Sequence, residues 1–369
     1  MKIGLFLPNA TFDLPGSPEV GGIEVYAMDL GEALMSLGHE VVLFGGTPRP
    51  GRTHRPVKMR LRLAPYWETR QIPKLGTRFR KLVQRLHFAV RSRRALREEK
   101  CDVVFVFKPY DFINARFWKK TRPDLRVVMN YQGKDFFPTD AFWRTAIDWE
   151  YACSEDNAAL VENRFGVRPE VIPNGVETGF YSPPATPPPP RHVVSAGRLV
   201  GWKGLPIMAQ ALCELPGWTW TVAGDGPDRE SLDVFAREHQ LTDRIRFAGT
   251  LGPAGLRALF HSASLMVQPS LDFDACPTAV LQGLSCGVPA VLSDRVGLAQ
   301  PVQNAGAGIV FPAGNAAALA RALRAMDALP EEGRTGMRHQ ARVLVENEFS
   351  ITATAQRISA TLKGLAGVA

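Results

Sequence analysis

Pro269-Ser-Leu-Asp-Phe-Asp-Ala-Cys-Pro-Thr-Ala-Val-Leu-Gln-Gly-Leu-Ser-Cys-Gly-Val-Pro-Ala-Val291 reads as the end of a buried strand, a polar loop, a helix begun through Pro277, and a Gly-Val-Pro turn into another strand. Strand, helix and strand in so short a span are the repeating unit of a parallel sheet. Asp274 falls in the loop before the helix and Gln282 on its first turns. Unpaired N–H groups and the dipole at a helix start favour an anion, so one ligand could meet the backbone and both side chains. The same pattern also fits a solvated loop capping a core helix, and this segment alone does not choose.

Working outward, the alternation fills the chain. Ile3–Leu7, Glu40–Phe44, Val103–Phe107, Val127–Tyr131 and Val171–Pro173 read as strands of a first half. His192–Ala196, Thr219–Ala223, Ile245–Ala248, Leu265–Gln268, Ala290–Leu292 and Gly308–Phe311 read as strands of a second. Helical patterns lie between them, at Glu24–Leu37, Pro206–Glu214, Asp228–Gln240 and Ala316–Met326. Ser182-Pro-Pro-Ala-Thr-Pro-Pro-Pro-Pro190 cannot lie inside a helix or sheet, because proline lacks the donor, so it reads as a stiff linker. The expected organisation is α/β: a Rossmann-like domain over 1–181, the linker over 182–190, a second Rossmann-like domain over 191–349, and a terminal helix over 350–369 able to cross back to the first. Two doubly wound domains place a ligand between the carboxyl ends of their sheets. Glycosyltransferases, epimerases, dehydrogenases and periplasmic-type binding proteins all fit.

At 369 residues the chain is long for one core, and 45% hydrophobic with 22% charged residues is an ordinary globular composition. No apolar run approaches the roughly 18 residues of a membrane span. The opening Met1-Lys-Ile-Gly-Leu-Phe-Leu-Pro8 has the length of a buried strand, not of a secretory signal. Five cysteines show no C-x-x-C or metal-ligand spacing, which points to a reducing cytoplasm. The net charge of +8 is unevenly spread: residues 49–100 carry 17 Lys/Arg against three acids, a local +14, leaving −6 elsewhere.

Within that stretch Leu75, Phe79, Leu82, Val83, Leu86 and Val90 fall at helical spacing, with Arg78, Arg80, Lys81, Arg85, Arg91, Arg93, Arg94 and Arg97 between them. A basic amphipathic helix suits an anionic membrane surface, each cation adding about 1 kcal/mol. The alternative is an apolar stripe in the core beneath a solvated basic face. No nucleic-acid-binding motif accompanies the charge.

Gly21-Gly22-Ile-Glu-Val-Tyr26 opens the first long helix, and two glycines there let backbone approach a phosphate or sugar closely. The spacing is not G-x-G-x-x-G, so the dinucleotide fingerprint is missing. In the second half Gly197-Arg-Leu-Val-Gly-Trp-Lys-Gly204 follows a strand, so Arg198 and Lys203 bracket a loop suited to a pyrophosphate, or form a solvated basic turn. Ala223-Gly-Asp-Gly-Pro227 is a tight turn on the same edge.

In order along nearly the whole chain, these pieces resemble the retaining, nucleotide-sugar-dependent GT-B glycosyltransferases of family 4. The resemblance runs through Gly21-Gly22-Ile-Glu, Gly38-His-Glu-Val41, Ile172-Pro-Asn-Gly-Val-Glu177, Gly197-Arg-Leu, Lys203-Gly204, Ala223-Gly-Asp-Gly-Pro227, Arg246-Phe-Ala-Gly249, Pro269-Ser270 and Gly287-Val-Pro289. It implies two Rossmann-like domains facing a cleft, with a nucleotide diphosphate sugar as donor and a saccharide or lipid-linked acceptor. Gly21 and Gly22 would approach the donor phosphates from the first domain; Gly197, Arg198, Lys203 and Gly224 would do so from the second. Backbone N–H groups of Thr278 and Ala279, after Pro277, would cap the pyrophosphate, and Ala248 would hold the base edge. The family's two glutamates fall on Asp274, for sugar hydroxyls, and Gln282, for the ribose. The family's histidine slot falls on Gln132, in Tyr131-Gln-Gly-Lys-Asp135, with Tyr131 and Asp135 at the acceptor.

The chain departs from the family at three functional positions. Asp274 is shorter than glutamate, Gln282 is uncharged, and there is no histidine between His87 and His192. The implied mechanism needs no side-chain base, since the leaving phosphate can take the acceptor proton while Arg198 and Lys203 stabilise it, with Asp274 and Gln132 at the reacting sugar. No cofactor or metal is expected, because the two cations already answer the diphosphate. A peripheral enzyme of surface polysaccharide or glycolipid synthesis, moving a hexose-type sugar, is the leading expectation. A non-hydrolysing nucleotide-sugar epimerase and a non-catalytic nucleotide-sugar-binding subunit are the alternatives.

Overall fold

A computed structural model describes residues 1–11, 21–46, 58–65, 67 and 77–366. The described chain forms two wholly parallel sheets flanked by helices, as the sequence predicts. The first contains β1 (Lys2–Thr11), β2 (Glu40–Gly46), β3 (Arg60–Ala64), β4 (Val103–Val106), β5 (Arg126–Tyr131), β6 (Trp149–Ala152) and β7 (Glu170–Val171). The second contains β8 (His192–Ala196), β9 (Thr219–Ala223), β10 (Ile245–Gly249), β11 (Leu265–Gln268), β12 (Ala290–Ser293) and β13 (Gly308–Phe311). The orders are β3-β2-β1-β4-β5-β6-β7 and β10-β9-β8-β11-β12-β13. In each sheet the winding reverses once, between β1 and β4 and between β8 and β11. At such a reversal the loops leave in opposite directions and open a crevice beyond the carboxyl ends.

Strands with both faces covered by helices must be apolar throughout, not alternating. Val103-Val-Phe-Val106 and Ala290-Val-Leu-Ser293 are buried at every position. Around the first sheet Phe6, Phe44, Phe88, Phe112 and Trp118 share one core, with Phe6 edge-on to Trp118 at 4.8 Å between ring centroids. A separate core around the second sheet gathers Met208, Leu212, Trp220, Phe311 and Leu323. Helix ends follow local chemistry: Ser154 caps Glu155–Phe165 by accepting from the Asn157 N–H, and Gly166 ends it at φ 72°.

Two compact units result. One takes in Glu19–Pro173, the N-terminal strand and Thr354–Ala369; the other takes in Asn174–Ala353. Residues 174–181 cluster with the second unit because Val176 N–H donates to Phe349 O, and Tyr181 O accepts from Ser285 and Arg342. The terminal helix Ile351–Ala366 begins on Val176 O, but from Thr354 onward it belongs to the first unit. There Thr354 donates to Pro173 O, Arg357 pairs with Glu170, and Ser359 bonds His39 at 2.7 Å.

The basic segment departs from its sequence reading in two ways. Its first part is strand β3, whose Arg-Leu-Arg-Leu alternation suits a sheet edge. Its second part is a helix, Thr77–Glu99, whose inward face is Gln84, Arg85, Phe88, Ser92, Leu96 and Glu99. Arg85 is therefore not a surface cation: it lies buried against fully buried Asp111, donating from Nε at 2.9 Å. Of the stripe read from the sequence, Phe79 and Val90 turn outward, 42% and 70% exposed, while Leu82, Val83 and Leu86 are half-buried. Lys81, Arg91, Arg93, Arg94 and Arg97 are exposed beside it and Arg80 is half-buried, while Leu75 and the Arg78 side chain lie outside the described residues.

Candidate active site

The loops after β8 and β11 meet across the reversal of the second sheet. After β8 the chain runs Gly197 to Gly204, turning through a short 3-10 helix at Gly201–Lys203. Gly204 adopts φ 67°, and a Cβ there would stand 2.0 Å from Pro269 O, so only glycine lets the two loops touch. That contact brings Lys203 Nζ to 2.7 Å from Asp274 Oδ2. The same oxygen accepts from Ser270 Oγ at 2.8 Å, and Ser270 Oγ accepts from Gln268 Nε2 at 3.0 Å. The backbone of Asp274 is fixed as well, its N–H donating to Arg295 O and its carbonyl accepting from Gly297. Buried at 7% exposure, the carboxylate is thus a held group and not a waving loop acid.

A shallow concavity opens beside this pair, lined by Ala196, Gly197, Arg198, Lys203, Ala223 and Gln268, among others. Arg198 is exposed there, and its side chain makes no hydrogen bond or ion pair among the described residues. The two cations are therefore unequal: Lys203 is already answered by Asp274, whereas Arg198 keeps its charge for an incoming anion. Gly224 does not line this cavity. Its φ is 129° and a Cβ would fall 1.9 Å from Gly197 O, so its part is to let the β9 turn lie on the β8 loop.

Helix Thr278–Ser285 starts at Pro277. Val280 and Leu281 N–H donate to Pro277 O, leaving the Thr278 and Ala279 N–H groups without a helical acceptor. Asn174 Nδ2 donates to Cys276 O at 3.3 Å and ties this start to the Pro173–Gly175 stretch. Gln282 is buried at 6% exposure. Ala248 sits half-buried near the end of β10.

In the first unit, helix Gly22–Ser36 begins beyond the carboxyl end of β1, and the Gly21 N–H donates to Glu24 Oε2 at 3.0 Å. The Gly21 N–H is thus occupied by a carboxylate. Gln132 Nε2 donates to Asn130 Oδ1 directly after β5. Tyr131 corrects the sequence reading, which placed it at the acceptor. Strand alternation drives its ring inward against Phe112 and Phe136, and its hydroxyl donates to Glu150 at 3.3 Å. Asp135 is half-exposed and pairs with Lys108 at 3.5 Å and Lys81 at 3.9 Å. Burial lowers the Lys108 ammonium below the usual lysine range, against the pull of Asp135 and Glu24.

Sequence reasoning missed Lys108, Ser270 and Gln268. A lysine directly after the all-apolar run ending at Phe107, at a switch point, was the available signal for the first. The relay from Gln268 to Asp274 had none, since a glutamine ending a strand and a serine in the loop after it are ordinary residues there.

Two family models cover residues 20–343 between them: Glycosyltransferase Family 4 over 20–180 and Glycosyl transferases group 1 over 161–343. The chain belongs to the GT-B glycosyltransferases of family 4. The chain is 25% identical over 205 residues to a putative colanic acid biosynthesis glycosyltransferase, WcaL, of Escherichia coli, covering 52% of the present chain and 50% of that one. It spans about half the length of the curated relatives it matches. Its fold matches sucrose-phosphate synthase from Thermosynechococcus elongatus with a TM-score of 0.85 at 18% identity, over all of both chains. It also matches Anabaena HepE, solved in complex with UDP, with a TM-score of 0.76 at 18% identity, over 99% of this chain and 100% of that one.

Proposed function

We propose that this glycosyltransferase moves a hexose-type sugar from a nucleoside diphosphate sugar, with retention, onto a saccharide or lipid-linked acceptor in surface polysaccharide or glycolipid synthesis. The ion pair of Lys203 and Asp274 at the switch point, beside unpaired Arg198, carries the reading. It sets a cation and a carboxylate side by side where a sugar phosphate presents an anion and hydroxyl groups together. On donor binding the phosphates take Lys203 and Arg198, and Asp274, still oriented by Ser270, turns to the sugar hydroxyls. As the anomeric C–O bond stretches, negative charge grows on the leaving phosphate, where both cations and the Thr278 and Ala279 N–H groups stabilise it. That preorganised stabilisation is worth about 3–4 kcal/mol per donor in comparable sites. The acceptor oxygen forms the new bond on the same face, and its proton passes to the departing phosphate. Gln132 and Asp135 serve the acceptor side.

The UDP complex of HepE and the colanic acid biosynthesis named for WcaL support this donor and product class. The outward stripe of Phe79 and Val90 among exposed Arg and Lys supports peripheral attachment to an anionic bilayer. Among the described residues no helix is long and apolar enough to cross a membrane. The test is a melting-temperature panel with UDP, GDP, ADP and TDP on the wild type and on Lys203→Ala. Stabilisation by one diphosphate, lost in the variant, supports the donor site; no shift with any of them overturns it. Transfer from the matching sugar nucleotide to lipid acceptors then separates an enzyme from a binding subunit.

A further inference from the structure

The second unit carries another concavity, at the opposite end of its sheet from the site above. It opens at the amino ends of β8, β11 and β12, with a cavity volume of about 110 Å³. Its walls are the prolines of the linker, the segment after helix Ala316–Asp327 and the start of helix Glu331–Glu348. Strands of four or five residues rise about 3.3 Å per residue, which separates the two sites by roughly 15 Å. Its lining is that of small-molecule pockets, apolar with a few placed charges. Pro188, Trp218, Leu265, Pro289, Met326 and Met337 form the apolar part.

The charges at its rim do not cancel. Arg191 Nε donates to Asp327 at 2.8 Å, and Arg334 donates to Glu331 at 2.7 Å and to Asp327 O and Leu329 O. Both carboxylates of the cavity are thereby answered. Arg338 remains: half-buried, lining the cavity, and with no hydrogen bond or ion pair among the described residues. Burial lowers its guanidinium below the usual arginine range, opposed only by the more distant Glu331. An arginine desolvated without a partner is costly to the fold unless an anion completes it.

We infer that this cavity is a second binding site, for a small organic anion whose apolar body lies among Trp218, Met326 and the linker prolines and whose carboxylate, sulfonate or phosphate group meets Arg338. Guanidinium geometry suits a two-oxygen contact with such a group. The site is independent of the donor loops, so its occupancy and that of the nucleotide site are separately measurable.

The probe is 8-anilinonaphthalene-1-sulfonate, an anion on an aromatic body, followed by its fluorescence on the whole chain. One saturable site is expected, displaced by decanoate, unmoved by decanol and unmoved by UDP. Arg338→Gln should weaken binding about tenfold or more, the worth of one charge-assisted contact, and Arg338→Lys should recover part of it. Because the Arg338 side chain makes no hydrogen bond or ion pair among the described residues, neither variant should melt below the wild type, and Arg338→Gln, which removes the unpaired charge, should melt at or above it. The double variant Phe79→Ser/Val90→Ser, on the exposed helix stripe, should leave the probe's affinity unchanged. Absence of a saturable site, equal affinity in Arg338→Gln, displacement by decanol as readily as by decanoate, or loss of binding in the stripe variant would each overturn the inference.

Discussion

Lys203 and Asp274, 71 residues apart in the chain, are joined by a 2.7 Å ion pair that closes across the point where the second sheet reverses its winding. One belongs to the loop leaving β8 and the other to the loop leaving β11, so neither strand alone makes the site. The contact depends on Gly204, which removes the side chain that would hold the loops apart.

Lys203→Ala should therefore act on both stability and activity. It strands a mostly buried carboxylate, at a cost of about 2–4 kcal/mol, and removes a phosphate contact worth a factor of roughly 10²–10³ in kcat/KM. Adding Asp274→Asn should restore most of the stability and none of the activity, a non-additive pair by chemical denaturation. Simple additivity of the two melting shifts would show that the ion pair does not couple them.

Gln282→Leu should weaken binding of the preferred nucleoside diphosphate by about fivefold, the value of a neutral hydrogen bond, with little change in kcat. Titration calorimetry against the same diphosphate checks it. Unaltered affinity would remove Gln282 from the ribose.

Alanine at two glycines should separate backbone strain from steric collision. Both Gly38 and Gly224 have positive φ, at 85° and 129°. A Cβ at Gly38 meets nothing within 4 Å, so Gly38→Ala should cost only about 1–2 kcal/mol. At Gly224 it collides with the Gly197 carbonyl, so Gly224→Ala should cost more than about 3 kcal/mol or displace the β8 loop and abolish diphosphate binding. Equal melting shifts for the two variants would contradict the close approach of these loops.

Arg85→Ala should destabilise the first unit by about 3–5 kcal/mol, because it leaves Asp111 charged in the core. Arg94→Ala, on the exposed face, should change stability by less than about 0.5 kcal/mol yet weaken binding to vesicles containing anionic lipid. Vesicle co-sedimentation and thermal melting, run on both variants, separate these roles.

Stability should fall as pH rises through the range 4–6 on account of Asp140. Burial, opposed by the Phe137 N–H and by Arg164, pushes its carboxyl up to about 6. The folded chain then holds this proton more tightly than the unfolded chain, so folding is favoured while the group is protonated. The advantage is lost as pH climbs through the folded value, by up to about 3 kcal/mol. Asp140→Asn keeps an acceptor for Phe137 N–H and should flatten this part of the stability profile while raising the melting temperature at pH 7.

Periodicity made the architecture readable, because strands buried on both faces leave uninterrupted apolar runs such as Val103–Phe107 and Leu265–Gln268. Two strands escaped it. In β3 the arginines of the sheet edge hid a two-residue alternation inside a strongly basic stretch, and β6 is the short, mixed Trp149-Glu-Tyr-Ala152. The site was legible where a motif fixes backbone, as at Gly197–Gly204, and where charge stands out, as at Lys203 and Asp274. Facing was not. Helical spacing alone gave the stripe of Phe79 and Val90 but could not say that Arg85 faces inward, since an arginine enters a core only when a partner such as Asp111 arrives from elsewhere. Tyr131 misled for the related reason that a residue beside a motif can belong wholly to the core.

The terminal helix has a consequence for how the protein is made. From Thr354 the terminal helix belongs to the unit whose other parts end at Pro173, so that unit cannot be complete until some 190 further residues have been translated. Its sheet can pair early, but His39 must wait for Ser359, and Glu170 for Arg357. The second unit, by contrast, has all of its residues by Ala353. On the ribosome the unit begun first is finished last.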